Sequence, residues 1–134
     1  SNASSPLSPA PPMPPMPPAA PITYTLLGSR GPCTDASNAR MRNEYVKSSF
    51  SGGDAACKQL CSDDMACTGY GIRHATTFLC LLYAQTTVGE HQPFLDLGFQ
   101  NNIPVGGSTA AIARHSNHAG HTWTCNSKDG HNNY

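Results

Sequence analysis

The sequence predicts a small α+β domain in which disulfide bonds stabilise a modest hydrophobic core. Three observations predict it: six cysteines in 134 residues, one short helical segment and several short runs of β-forming residues. An even cysteine count in a small domain is typical of a disulfide framework, which forms in oxidising compartments. A zinc-thiolate centre is the weaker alternative because no paired C-x2-C knuckles occur, and a catalytic cysteine is weaker still because no thiol is obviously spare. We therefore expect a secreted or cell-surface protein.

A proline-rich arm precedes the domain. Residues 1–3, Ser-Asn-Ala, are typical of an expression-tag remnant and are excluded from fold reasoning. Residues 4–21 form the arm, and nine of the sixteen residues from Pro6 to Pro21 are proline. Each proline ring fixes φ and removes a backbone donor, which predicts an extended polyproline II spacer of about 3 Å per residue. A ligand for an aromatic groove and a glycosylated wall stalk are the alternative roles. No signal peptide follows the tag, so we expect a fragment of a longer protein.

The domain is predicted to span residues 22–126, followed by a polar tail at 127–134. Residues 22–27 alternate and favour a first strand, which Gly28 and the Gly31-Pro32 turn would end. Residues 51–54, Ser-Gly-Gly-Asp, supply N-cap candidates for a short helix over 55–61. The spacing of Cys57, Leu60 and Cys61 places them on one face of this helix, so we expect that face to point into the core.

Three further strands complete the predicted domain. Residues 67–72 and 78–83 are rich in β-formers, and residues 73–77 between them predict a hairpin loop. The last strand is predicted at 121–125, where Trp123 faces away from Thr122 and Thr124. We expect this only tryptophan to pack in the core or against a disulfide rather than to stack on a ligand.

Taken together, the cysteine-bearing segments resemble the PAN/apple domain, a family of disulfide-rich extracellular modules. The resemblance covers nearly all of the chain after the arm, and its most specific part is the central pattern C-x3-C-x5-C-x12-C. The matching segments are Cys33 with its polar loop, ACKQLC at 56–61, MACTGY at 65–70, LCLLY at 79–83 and WTC at 123–125.

The resemblance implies one helix packed on a curved antiparallel sheet. It also implies nested disulfides between Cys33 and Cys125, Cys57 and Cys80, and Cys61 and Cys67, whereas the sequence alone allows fifteen pairings. It further implies adhesion through carbohydrate or protein ligands. Around the central hairpin, the candidate ligand contacts are Tyr70, Arg73, His74 and Tyr83.

The 44 residues between Cys80 and Cys125 exceed what the compact pattern requires. Residues 84–120 therefore look like an insertion, and insertions of this length are either functional or disordered. It contains His115 and His118, and His121 follows at the same spacing of three. Neutral imidazoles are common ligands of zinc, nickel and copper, so these three form a candidate metal site, with a solvated polar loop as the default.

Charge and motifs exclude other classes. Lysine plus arginine equals aspartate plus glutamate, eight each, so the chain lacks the basic field that nucleic acid or anionic lipid would require. No apolar run approaches the roughly 20 residues that cross a bilayer, and no catalytic motif occurs. We expect no enzyme activity and no cofactor, and a glycan or extracellular protein as the partner. The alternative from another class is an assembly unit of a cell wall or matrix that uses the proline-rich arm.

Overall fold

The structure, a computed structural model, describes residues 9–15, 21–85, 89–117 and 122–130. In these ranges a main helix and a short second helix accompany mostly antiparallel strands, which agrees with the predicted α+β class. The elements in chain order are β1 Tyr24–Gly28, β2 Cys33–Thr34, β3 Glu44–Lys47, α1 Gly53–Ser62, β4 Cys67–His74, β5 Phe78–Ala84, α2 Gln92–Asp96, β6 Gln100–Asn101, β7 Arg114–His115, β8 Thr122–Trp123 and β9 Cys125–Lys128.

The main sheet has the order β1-β9-β4-β5-β3-β6, and β8 also pairs with β4. The β4–β5 hairpin lies at its centre, with Ile72 opposite Cys80 and His74 opposite Phe78. The two predicted strands are confirmed, but the predicted loop over 73–77 is too long: Arg73 and His74 belong to β4, and only residues 75–77 form the turn. A second, two-stranded sheet pairs β2 with β7.

Three disulfides hold these elements together. Cys57–Cys80 joins α1 to the hairpin, Cys61–Cys67 closes the turn between α1 and β4, and Cys33–Cys125 joins the two ends of the domain. These are the pairs that the resemblance implies. All six cysteines are fully buried, and no cysteine is free.

The sheet separates two buried clusters. The cluster on the α1 side contains Tyr70, Leu82, Phe94 and Phe99, and the cluster on the opposite side contains Leu81, Tyr83 and Trp123 together with the Cys33–Cys125 disulfide. Trp123 therefore packs in the core beside a disulfide, as predicted. Phe94 and Phe99 come from the long insertion, so the insertion contributes two side chains to the core while most of its described residues are exposed.

Helix α1 begins differently from the prediction. The residue before the helix is Gly52, whose φ of 99° belongs to the left-handed region that glycine adopts most easily, and no side chain caps the first turn. Asp54 lies inside the first turn and accepts a hydrogen bond from the Tyr70 hydroxyl. As predicted, Cys57 and Cys61 face the core, with Leu60 partly buried beside them.

The last strand also differs from the prediction. Thr124 interrupts the segment, and β9 continues to Lys128, which pairs with Tyr24 of β1. Ser127 and Lys128 are thus part of the sheet rather than of a polar tail. The Lys128 side chain is buried, and its ammonium group donates to the carbonyls of Cys61 and Asp64, at 2.8 and 2.9 Å, at the end of α1 and just after it.

Candidate functional site

Two of the four predicted ligand contacts are core residues. Tyr70 is 4% exposed, packs edge-to-face on Tyr24 with ring centroids 5.0 Å apart, and is covered by α1. Tyr83 is 1% exposed on the opposite side of the sheet. Burial raises the pKa of both phenols. Both faces of the hairpin are covered where these rings lie, so neither ring is at the surface of this structure, and a ligand contact by either tyrosine stays a sequence prediction.

The Tyr83 hydroxyl belongs to a buried polar network. It accepts a hydrogen bond from the Cys33 amide at 2.9 Å and donates to the Glu44 carboxylate at 3.2 Å. Glu44 is fully buried and also receives hydrogen bonds from Arg40 and Asn102. Because a buried carboxylate is costly unless it is paired, this network has a structural role: it joins β3 to β5 and to the segment after β6.

Arg73 lies at the open end of the hairpin. Its guanidinium carbon is 5.4 Å from the centroid of the Trp123 ring, and the two residues are opposite each other in β4 and β8. Such a cation–π contact restrains the guanidinium group, whose N–H donors can still serve other acceptors. Arg73 is partly exposed, so these donors are within reach of a ligand.

His74 lies beside Arg73 on the other face of the sheet. Its ring stacks on Phe78, its cross-strand partner, with centroids 4.3 Å apart and planes 18° apart. His74 is exposed and Phe78 is partly exposed. Since successive residues of a strand point to opposite faces, the two stacks lie on either side of the same strand end. We call Arg73, Trp123, His74 and Phe78 together the hairpin end.

A shallow pocket opens near the other edge of the sheet. Its volume is about 280 Å³, and Val46 packs against the same buried cluster that contains Trp123. The lining therefore combines one apolar side chain with polar ones, at the modest size of a small ligand subsite. Its lining residues are Val46, Lys47, Ser48, Gly98 and Gln100.

The candidate metal site falls mostly outside the described residues, since His118 and His121 are not among them. His115 is described: it pairs with Cys33 across β2 and β7, and its ring lies against Gly28. A Cβ atom at position 28 would lie 2.1 Å from that ring, so His115 occupies a space that only glycine leaves open. Among the described residues, no group of three or more potential metal ligands converges.

Sequence reasoning missed Phe78 as the partly exposed partner of His74 and the buried Trp123 as the ring next to Arg73, and it missed the pocket. Strand alternation is the signal that would have paired Phe78 with His74, provided that the hairpin register were known. The position of Trp123 depends on β8 pairing with β4 across 49 intervening residues, which no local pattern specifies.

Comparisons with protein-family models, with curated proteins and with solved structures found no match to this chain. In the described ranges, no helix is long and apolar enough to cross a membrane.

Proposed function

We propose that this chain is an extracellular binding module of the PAN/apple type that recognises carbohydrate through the hairpin end. The module type is supported by the three nested disulfides, the single main helix packed on the β4–β5 hairpin, and the cysteine spacing. Three disulfides also favour an oxidising, extracellular environment.

The observation that carries the proposal is the Arg73–Trp123 pair, together with the His74–Phe78 stack on the other face of the same strand end. Sugars are bound by flat apolar surfaces together with a few fixed hydrogen-bonding groups. At the hairpin end the accessible flat surface is the His74–Phe78 stack, and the charged donor is Arg73 across the strand end. A guanidinium group held against an indole ring donates in a fork that fits carboxylate and sulfate groups. We therefore expect acidic sugars to bind better than neutral ones.

The hairpin end is small, so a single site should bind weakly. The Arg73 and His74 side chains are held by stacking, which lowers the entropy lost on binding, but few other polar groups converge there. Useful affinity would then come from several copies acting together. The test must accordingly present the protein as a multimer.

The test is a glycan array probed with the oxidised full chain displayed as a multimer, beside a reduced and alkylated control. We expect selective binding to acidic glycans that the control lacks. Arg73→Ala should weaken this binding roughly 10-fold or more, because a charged hydrogen bond contributes about 1.5–3 kcal/mol. Arg114→Ala is the matched control, since Arg114 is exposed in the separate β2–β7 sheet and should have no effect. Silence across the array, or equal loss in both variants, would refute the proposal.

The assembly alternative has one observation in its favour: residues 9–15 of the proline-rich arm are all exposed, and Met13 is among the most exposed apolar residues. An arm held in the extended form loses little entropy when a groove binds it. Analytical ultracentrifugation of the full chain and of a variant lacking residues 6–21 tests this alternative. Concentration-dependent association that the deletion abolishes would favour assembly, and monomers at every concentration would exclude self-assembly through the arm.

A further inference from the structure

The sheet face opposite α1 connects the hairpin end with the pocket. Arg73 is opposite Leu79 in the β4–β5 hairpin, and both Leu79 and Val46 pack against the cluster that contains Trp123. Side chains alternate along a strand, so Ser48 shares this face with Val46. Together these residues form a row across three strands, which we call the cross-sheet strip: Arg73, Leu79, Val46 and Ser48.

The strip has an apolar floor that solvent can reach. Leu79 and Val46 are partly buried, whereas Leu81 and Tyr83, further along β5 on the same face, are almost completely covered. Val46 and Ser48 also line the pocket of about 280 Å³. An accessible surface therefore continues from Arg73 across β5 to the pocket.

The pocket forms because the pairing of β3 with β6 stops after Val46. Val46 pairs with Gln100, and the same register would place Ser48 opposite Gly98. Gly98 instead has a φ of 90°, and its amide donates to the Leu95 carbonyl at 3.0 Å. The chain leaves the sheet at this glycine, so the backbone groups of Ser48 that would have continued the ladder border the pocket. A bound molecule can use this fixed backbone together with the Ser48 hydroxyl and the Gln100 amide.

The strip and the pocket carry two cations. Arg73 lies at one end, and Lys47 lines the pocket at the other. Lys47 Nζ donates to the Leu97 carbonyl at 2.8 Å, which holds the ammonium group beside Gly98, and an ammonium group has two further donors. The strands that carry the two cations, β4 and β3, lie on either side of β5 and are thus about 10 Å apart. That distance exceeds the length of a single sugar ring.

The lining lacks acidic groups: none of the described residues that line the strip or the pocket is an aspartate or a glutamate. Two acids occur in the adjoining chain. Glu44 of β3 is fully buried and paired with Arg40, and Asp96 at the end of α2 is exposed and accepts a hydrogen bond from Gln92. The exposed charges of α1, Lys58 among them, belong to the other side of the sheet. An anionic chain therefore complements the strip better than a neutral one does.

We propose that the cross-sheet strip extends the hairpin end, and that the bound carbohydrate is a linear acidic oligosaccharide that reaches from Arg73 to the pocket. This inference rests on the proposed carbohydrate function and adds the length and the direction of the bound chain. One acidic group pairs with Arg73, the sugars cross Leu79 and Val46, and a second acidic group meets Lys47 at the pocket. The second contact is intramolecular once the first has formed, so affinity should rise when the oligosaccharide is long enough to make both.

The test is an NMR titration of the ¹⁵N-labelled, oxidised full chain with linear oligouronic acids, from the monosaccharide to the hexasaccharide. We expect affinity to rise roughly 10-fold or more at the length that reaches the pocket, and then to level off. The monosaccharide should shift the Trp123 indole peak, and the longer chains should also shift the amides of Ser48 and Gln100.

Two variants block the pocket end of the strip. Ser48→Trp fills the pocket and Gln100→Ala removes an amide from it, so each should reduce the hexasaccharide to the affinity of the monosaccharide. Both positions are exposed, so the melting temperatures should stay unchanged. Ser29→Trp and Gln59→Ala are the matched controls and should keep the rise with length, since they are exposed in the loop after β1 and on α1.

The outcomes separate this inference from the proposed function. A shift of the Trp123 indole peak with equal affinity at every length would overturn the extended strip and leave the hairpin end as the site. A rise with length that survives both Ser48→Trp and Gln100→Ala would show general charge attraction and would also overturn the strip. Absence of binding at every length would overturn both the strip and the carbohydrate proposal.

Discussion

Each disulfide should stabilise this domain more, the longer the loop of chain that it closes. Cys33–Cys125 spans 92 residues, Cys57–Cys80 spans 23 and Cys61–Cys67 spans 6. All six cysteines are equally buried, so replacing each pair by alanines removes similar packing. Differences in stability between the variants therefore report the effect of loop length. The three double variants, each retaining two disulfides, are the perturbation.

The chain-entropy model gives the magnitudes. A crosslink reduces the entropy of the unfolded chain by a constant plus a term that grows with the logarithm of the loop length, which gives about 4.6, 3.4 and 2.2 kcal/mol for the three loops at 25 °C. Loss of the outer disulfide should therefore destabilise the domain by roughly 2 kcal/mol more than loss of Cys61–Cys67. The comparison between two variants is firmer than either value alone, because the similar packing losses at equally buried cysteines cancel.

The assay is urea unfolding without reductant, monitored by far-UV circular dichroism and by Trp123 fluorescence. The two probes should give the same midpoint and the same dependence of the unfolding free energy on urea if unfolding is two-state. We expect the unfolding free energy to fall from the wild type to the variant without Cys61–Cys67 (61/67), then to the variant without Cys57–Cys80 (57/80), and to be lowest in the variant without Cys33–Cys125 (33/125). Equal stabilities, or a 61/67 variant less stable than the 33/125 variant, would refute the loop-entropy reasoning. If the 33/125 variant fails to fold, the other two still test the order.

Further predictions concern the core. Lys128→Met should lower the free energy of unfolding by about 1–3 kcal/mol because the carbonyls of Cys61 and Asp64 each lose a charged donor, whereas the exposed Lys58→Met should not; equal melting temperatures would contradict this. Phe94→Ala should cost about 3–5 kcal/mol in urea unfolding, and a loss below 1 kcal/mol would show that the insertion does not support the core. The pKa values of Tyr70 and Tyr83 are raised in the folded state, so their stabilising effect is fully present below the unfolded-state pKa near 10. Above that pH, and up to its folded-state pKa, each tyrosine should lower the free energy of unfolding by about 1.4 kcal/mol per pH unit. Absorbance at 295 nm should show their ionisation only together with loss of circular dichroism, and reversible ionisation without unfolding would contradict their burial.

Local signals were sufficient for the elements that carry the four central cysteines. Helix α1 and the β4–β5 hairpin follow from residue spacing and β-propensity, because the same residues that form them also carry the disulfides. Strand β3 was missed: it is four residues long and contains Glu44, which avoids a burial penalty only because Arg40, Tyr83 and Asn102 meet it there. Those partners come together only in the folded chain, so no local pattern predicts the strand.

The candidate site was half predictable for a related reason. Tyr70 and Tyr83 lie in the hairpin as expected, but α1 covers one ring and segments near Met41 and Ile112 pack over the cluster that holds the other. The sequence of the hairpin does not indicate what covers its two faces. Arg73 and His74 remain accessible because they lie at the strand end, beyond both covers.

The most direct test of the central claim is the ¹H–¹⁵N spectrum of the Trp123 indole during titration with the acidic oligosaccharide that the array selects. The chain has one tryptophan, so one indole peak reports on the ring beneath Arg73. We predict a saturable shift of that peak that Arg73→Ala removes and Arg114→Ala preserves. Binding that moves other peaks while the indole peak stays in place would contradict a carbohydrate site at the hairpin end.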